Sequence, residues 1–499
     1  MVLRIVLAGA GLCNIQVAKL LHDMVLSSYG DQIQVTLVSA WEYTYYSAMY
    51  PGVLAEQYDE EETRIPLLPL AVACRTHLLI DSVVAISAAA KTVSLASGTQ
   101  LAFDILAVNV GSKTPGSNVP GVLQYAILTR PLNVFLAKLQ AREEQLLAEG
   151  VAPRVIVVGS GPSGLELSLV LRKRLNAKFP GGNAIITIVD EQSKVLPNSS
   201  VSYRALVLRN LKNKQIKVFA NASVQVVRQD EVELKDGRIL KADIFIWSTG
   251  CDPQSITHDL SVCRKGFILV NRSLQTLTSP EIFGAGDCVT IQGFPKDFPP
   301  KTGAHAVREG PVVAANMAAL VKYRLLRIPL SFMLFEPQSD LLTLLNLGDG
   351  RGIVTKYGMT FSGEWVFRLK DYVNKRFIHR YSPQALLGVS AYEHLLQAGY
   401  DEAAQKAAYD MRSSDVTEDY SIINWYDASR RSQDVQHEVN ELEPDIAFNL
   451  LLESSDTLKV GSSEDFEFQL CILQRTDRDT EFRYALLRRY EEAMSELNS

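Results

Sequence analysis

The chain has no closely spaced cysteine pair. Its six cysteines, at positions 13, 74, 251, 263, 288 and 471, form neither a CxxC motif nor a zinc-ligand spacing. This speaks against a disulfide framework and a cysteine-based metal site, and no metal is expected; a reducing intracellular compartment, cytoplasmic or mitochondrial, suits the pattern. Long hydrophobic runs are lacking too, for nothing approaches the roughly 20 uninterrupted apolar residues of a spanning helix. A soluble or peripheral protein is expected. Positive charge is not in excess: the formal net charge is -6 and the pI about 5.8. Without a basic field to neutralise phosphate backbones, nucleic acid is not expected as a main partner. No leader precedes the first strand, Val2 to Ala8, so no secretory or transit peptide is expected unless one was already removed.

What the 499 residues do have is length and apolar content for two or three domains, and a unit that occurs twice. The unit is an apolar run, a glycine turn, an amphipathic helix and a second strand. The first copy runs from LRIVLAGAGLCN through a helix at Ile15 to Val25 and into a strand from Gln34 to Val38. The second runs from PRVIVVGSGPSG through Leu165 to Leu175 and into AIITIVD, ending at Asp190. Parallel strands joined by a crossover helix need this length, so each copy reads as a βαβ unit of a doubly wound sheet. Each is followed by a strand and a further glycine turn, Gly111 in NVGSKTP and Gly250 in WSTGCDP. The later strand in LQTLTSPEIFGAGDC is assigned back to the first domain, which makes the second an insertion. The expected architecture is α/β, with two Rossmann-like FAD/NAD(P)-binding domains, a smaller C-terminal α+β domain and a helical tail. The expected boundaries are 1–125 with 250–324 for the FAD domain, 126–249 for the NAD(P)H domain, 325–384 for an interface domain, and 385–499 for an acidic, helix-prone extension.

In a dinucleotide turn the first glycine allows the tight bend, the second lets backbone approach the diphosphate, and the third lets helix and strand pack closely. The second copy has all three, Gly159, Gly161 and Gly164, and Asp190 closes the next strand where a carboxylate accepts the ribose hydroxyls. A carboxylate there repels a 2′-phosphate and favours NADH over NADPH, although Lys194 is near. The first copy keeps Gly9 and Gly11, but Asn14 replaces the third glycine and Ser39 the ribose-binding acid. Asp287, in GAGD at a strand end, supplies a carboxylate for a flavin ribityl or phosphate-side hydroxyl. Behind it, the helix opening at Gly303 in PKTGAHAVREGP turns its positive end to the flavin edge.

These motifs resemble the two-dinucleotide-binding-domain flavoproteins, which include pyridine nucleotide-disulfide oxidoreductases and type II NADH dehydrogenases. The likeness covers residues 1 to about 380. TYYSAMYPGVLAEQYDEEE, FDILAVNVGS, PKTGAHAVREGP and GEWVFRLKDYVNKRF are more similar still to the flavoprotein module fused to selenide, water dikinase in some organisms. The residues that follow do not resemble the synthase, so this chain by itself gives no support for a link to selenium. The resemblance implies FAD and NAD(P)H as cofactors, Tyr46 and Ser47 in the flavin pocket, and Glu166 beside the nicotinamide amide. Lys301 is expected to reach the flavin or its acceptor, and His305 to give a proton to a quinone. For Glu166 and His305 the alternatives are an ordinary first-turn glutamate and a structural histidine.

Tyr45 to Gly52, where disulfide oxidoreductases carry their cysteine pair, holds no cysteine. The expected activity is therefore hydride transfer from NADH to flavin and then directly to a quinone or other small acceptor. The alternative is a noncatalytic or degenerate flavoprotein serving as a subunit of a larger assembly, or pairing with itself, through the C-terminal region. Further on, Trp365, Leu369, Tyr372, Val373 and Phe377 share one helical face flanked by Arg368, Lys375, Arg376 and Arg380. That pattern fits either peripheral contact with an anionic membrane through 365–381 or an ordinary helix packed on a domain.

Overall fold

The run Leu3–Ala8 has one charge, Arg4, and folds as a strand, β1, buried everywhere except at that residue. The computed structural model describes residues 2–116, 118–181, 184–295, 298–398 and 402–411. After β1 come the helix α1 (Leu12–Leu21) and the strand β2 (Ile33–Ser39), parallel to β1 from Leu3 beside Ile33 to Ala8 beside Val38. Two short helices, α2 (Tyr50–Leu54) and α3 (Leu67–Ala73), precede β3 (His77–Ile80), which pairs with β2; β4 (Ile105–Val108) then pairs with β1.

The plan recurs. The strand β5 (Ile127–Leu128) and helix α4 (Leu132–Ala148) lead into β6 (Arg154–Val158), α5 (Pro162–Lys178), β7 (Ile185–Val189), β8 (Ile216–Phe219) and β9 (Ile244–Trp247). Next, β10 (Ile282–Gly284) returns to the first sheet beside β4. The sheet orders are β10-β4-β1-β2-β3 and β5-β9-β6-β7-β8, parallel throughout. Buried on both faces, such sheets demand the near-continuous Val/Ile/Leu runs that these strands have. The two chain crossings between the sheets pair as a short antiparallel ribbon, Ser112 beside Pro253 and Lys113 beside Asp252.

A long helix, α6 (Gly303–Leu326), packs along α1, where the Gln16 amide donates to the Val307 carbonyl at 2.9 Å. A Cβ at Gly310 would lie 2.7 Å from that amide nitrogen, so a larger residue there would displace the Gln16 side chain. The antiparallel strands β11 (Thr343–Asn346) and β12 (Gly352–Lys356) follow, and Leu345, Leu347 and Ile353 join the core of the second sheet.

The helix α7 (Glu364–His379) buries Val366, Leu369, Lys370, Asn374 and Phe377. This corrects the expected stripe: Leu369 and Phe377 face inward, Tyr372 is exposed, and a lysine and an asparagine share the buried face. Three further helices, α8 (Pro383–Leu387), α9 (Val389–Ala398) and α10 (Glu402–Asp410), add Leu386, Leu387, Ala391, Leu395 and Ala408 to the core of the first sheet. Residues 385–398 and 402–411 thus pack on the domain of the first sheet, and the rest of 385–499 lies outside the described residues. No helix among the described residues is long and apolar enough to cross a membrane.

Candidate functional site

In a doubly wound sheet the ligand crevice lies beyond the carboxyl ends of the central strands. At the end of β1, Gly9 takes φ +92°, and a Cβ there would stand 2.6 Å from the Asn109 carbonyl oxygen. At Gly11 it would stand 2.2 Å from the Asn109 side-chain oxygen. The chain after β4 therefore approaches the turn too closely for any side chain. Asn14, in place of the third glycine, donates from its amide to the carbonyls of Gly9 at 2.8 Å and Ala107 at 3.1 Å. Ser39 uses its hydroxyl locally, donating to the Trp41 carbonyl at 2.7 Å and accepting from the Trp41 amide at 3.3 Å.

The second turn solves the same problem with glycine. A Cβ at Gly164 would lie 2.1 Å from the Gly159 carbonyl oxygen, the counterpart of the Gly9 carbonyl that Asn14 binds. Helix-to-turn contact is thus van der Waals in one copy and a hydrogen bond in the other. Nothing lies within 4 Å of a Cβ added at Gly161, so the space in front of this turn is open. Asp190 accepts from the amides of Ser160 and of Gln192, the latter at 2.7 Å, which holds its carboxylate beside the turn.

Around the first turn, distant segments converge. The Thr44 hydroxyl donates to the Ala10 carbonyl, fixing the loop that carries Tyr46 and Ser47. Tyr46 is stacked on Phe377 of α7 with ring centroids 4.7 Å apart, and burial pushes its phenol up to about 12. Ser47 and Leu12 are the side chains nearest the space above Gly303. Asp287 accepts from the Ser112 hydroxyl at 3.0 Å and from Arg130 at 3.4 Å, and Arg130 also donates to the Gly250 carbonyl at 3.0 Å. Gly111 and Gly250 have positive φ and face open space at the ends of the two crossings. The close-approach turn, the open helix end and the Asp287 carboxylate fit a dinucleotide with a ribityl or ribose hydroxyl.

Lys301 places its ammonium over the Phe267 ring at 4.5 Å. His305 is buried edge-on to Phe335 at 6.4 Å. Desolvation, with Arg308 adding to it, drives the imidazole down to about 4. Glu309, four residues on, is buried and accepts from the Gly286 amide. Burial raises its carboxyl to about 7, against the pull of that amide and of Lys301.

Glu166 lies just past the first turn of α5, and it is not a solvated surface residue. Its Oε1 accepts from the Asn346 amide at 2.7 Å and pairs with Lys370 of α7 at 3.3 Å, with side-chain exposures of 13% and 8%. Lys370 also donates to the Leu344 carbonyl at 3.3 Å, and the Asn346 side chain donates to Gln57 at 2.6 Å. One polar junction therefore ties both dinucleotide-type domains to the third. Asn109, Glu309, Asn346 and Lys370 escaped sequence reasoning. Overlaying the two copies would have flagged Asn109, which stands where the second has Ser248, and a cation on the apolar face of α7 marked Lys370.

The five described cysteines are free thiols. Burial raises Cys13 well above its ordinary value and Cys288 to about 11, so neither is a thiolate near neutral pH.

Residues 3–310 match the family described as pyridine nucleotide-disulphide oxidoreductase. Among similar curated proteins is the type II NADH:quinone oxidoreductase of Haemophilus influenzae, 25% identical over 317 residues, or 57% of this chain and 70% of that protein. Another is a demethylphylloquinone reductase of Synechocystis, 26% identical over 272 residues, 53% of this chain and 64% of the relative. The chain thus spans about two thirds of the length of these relatives. Among solved structures, NDH2 from Plasmodium falciparum in complex with NADH superposes with a TM-score of 0.63 at 15% identity, covering 77% of this chain and 98% of that one.

Proposed function

The chain belongs to the pyridine nucleotide-disulphide oxidoreductase family, and from that membership we propose that it oxidises NADH and reduces a quinone or similar small acceptor. Its cofactors are FAD and NAD(P)H. One observation carries the reading: two parallel sheets, alike in the order of four of their five strands, each end their central strand in a glycine turn that opens onto a helix. Helix N-termini of this kind receive diphosphates. When bound there, FAD would supply two-electron chemistry between the nicotinamide and the acceptor.

The protein's own residues bind and orient. Asp190 takes the ribose hydroxyls of NADH and leaves no room for a 2′-phosphate charge. Asp287, Tyr46 and Ser47 hold the flavin side. Lys370 pairs with Glu166 at 3.3 Å, and Glu166 Oε2, which has no donor among the described residues, accepts from the nicotinamide carboxamide.

Anaerobic mixing of the purified protein with NADH tests this: flavin absorbance should be present and should bleach. A screen of soluble quinone, oxygen, ferricyanide and selenium or sulfur compounds then identifies the acceptor. A protein that takes up no flavin even on reconstitution would instead support the noncatalytic subunit.

A further inference from the structure

The two glycine turns share a plan but not a set of open donors. A helix leaves its first amides without internal acceptors, and these are what an anion binds. In α5 the first position is Pro162, which has no N–H, while the amides of Ser163 and Gly164 have no acceptor among the described residues. In α1 the two equivalent amides are closed: the Asn109 side-chain oxygen accepts from those of Cys13 at 3.1 Å and Asn14 at 3.3 Å, while the amides of Gly11 and Leu12 have no acceptor among the described residues.

Asn109 is well placed to be a permanent cap. It is 4% exposed, and its amide nitrogen donates to the Ala285 carbonyl, beyond β10, at 2.7 Å. One side chain thereby joins the first turn of α1, the end of β4 and the end of β10. The corresponding space at the second turn is empty, for nothing lies within 4 Å of a Cβ at Gly161, whereas at Gly11 the Asn109 oxygen would be 2.2 Å away.

We propose that Asn109 is a positioning residue of the flavin site. It closes the amides of Cys13 and Asn14, confines the FAD diphosphate to those of Gly11 and Leu12, and holds the turn in its loaded shape before the cofactor arrives. A site ordered in advance loses less freedom on binding, which favours a tightly retained group. The second turn keeps Ser163 and Gly164 uncapped for a dinucleotide that comes and goes. The inference rests on reading the first turn as the FAD site and the second as the NADH site.

Reciprocal substitutions in the full chain test it. Asn109→Ser installs the residue of the second copy; FAD should leave about 10-fold faster while titration with NAD⁺ is unchanged. Ser248→Asn should place a cap in the open space before Gly161, weakening NAD⁺ binding about 10-fold with FAD release unchanged. Apoprotein melting is followed in parallel. A merely structural asparagine would lower the melting temperature in Asn109→Ser and leave the FAD off-rate of the folded protein untouched. That outcome overturns the proposal, as does unaltered NAD⁺ affinity in a folded Ser248→Asn protein. If Asn109→Ser does not fold, the Ser248→Asn arm decides. Unaltered protein that binds no FAD at all would mark failure of the underlying functional reading instead.

Discussion

Asp190 holds its charge beside the second turn by accepting the amides of Ser160 and Gln192. Its role in cofactor choice is tested by Asp190→Ser, which should raise the KM for NADH and narrow the gap to NADPH by about 1–3 kcal/mol, the scale of a hydrogen bond to a charged group. An unchanged preference in steady-state kinetics would remove the assignment. Glu309 makes stability depend on pH. Its carboxyl rises from 4.5 to about 7 on folding, so the folded chain keeps a proton that the unfolded chain gives up. The resulting stability is fully present below pH 4.5 and is lost as pH rises through about 7. Glu309→Gln still accepts from Gly286 but does not titrate. Relative to it, the parent protein should lose on the order of 3 kcal/mol between pH 4.5 and 8, read from urea unfolding at each pH. Parallel pH profiles would show that Glu309 titrates alike in both states. Asp190 was legible because a strand end at fixed spacing from a glycine turn is a local pattern. Glu309 was not, since burial of a carboxylate in a helix is decided by what packs over it.

The helix α7 shows the same division one level up. Its periodicity announced a helix with an apolar stripe, but its orientation came from partners elsewhere: Phe377 stacks on Tyr46, and Lys370 reaches Glu166 on α5. The buried face is therefore rotated from the stripe that apolar residues alone would choose. Breaking a buried ion pair from one side leaves an uncompensated charge. Lys370→Met is accordingly expected to cost about 3–5 kcal/mol in chemical unfolding, and the double variant Glu166→Gln with Lys370→Met to recover most of it. Additive losses in that double-mutant cycle would mean that the pair does not join α5 to α7 energetically.

For the molecule as a whole, the proposed FAD site depends on two stretches of chain that lie before and after the second sheet. Asp287 follows the returning strand β10 and is held by Ser112 and Arg130 from before the insertion. Asp287→Ala should purify with depleted flavin and unaltered far-ultraviolet circular dichroism, and its melting temperature should respond less to added FAD than that of the parent protein. Full flavin occupancy would count against the assignment. The sequence by itself determined the two βαβ units, the return of a later strand, and the positions of Gly9, Gly11, Gly159, Gly161, Gly164 and Asp190. Those features depend on residues within one turn, strand or helix, where spacing and backbone sterics leave little choice. Only the tertiary structure decided that Asn109 caps α1 from 96 residues away, that Asn14 replaces a glycine by bonding the carbonyl it would touch, and that Lys370 faces Glu166. Those contacts depend on which surfaces meet when the sheets and helices pack, and a buried amide or charge finds its partner only then.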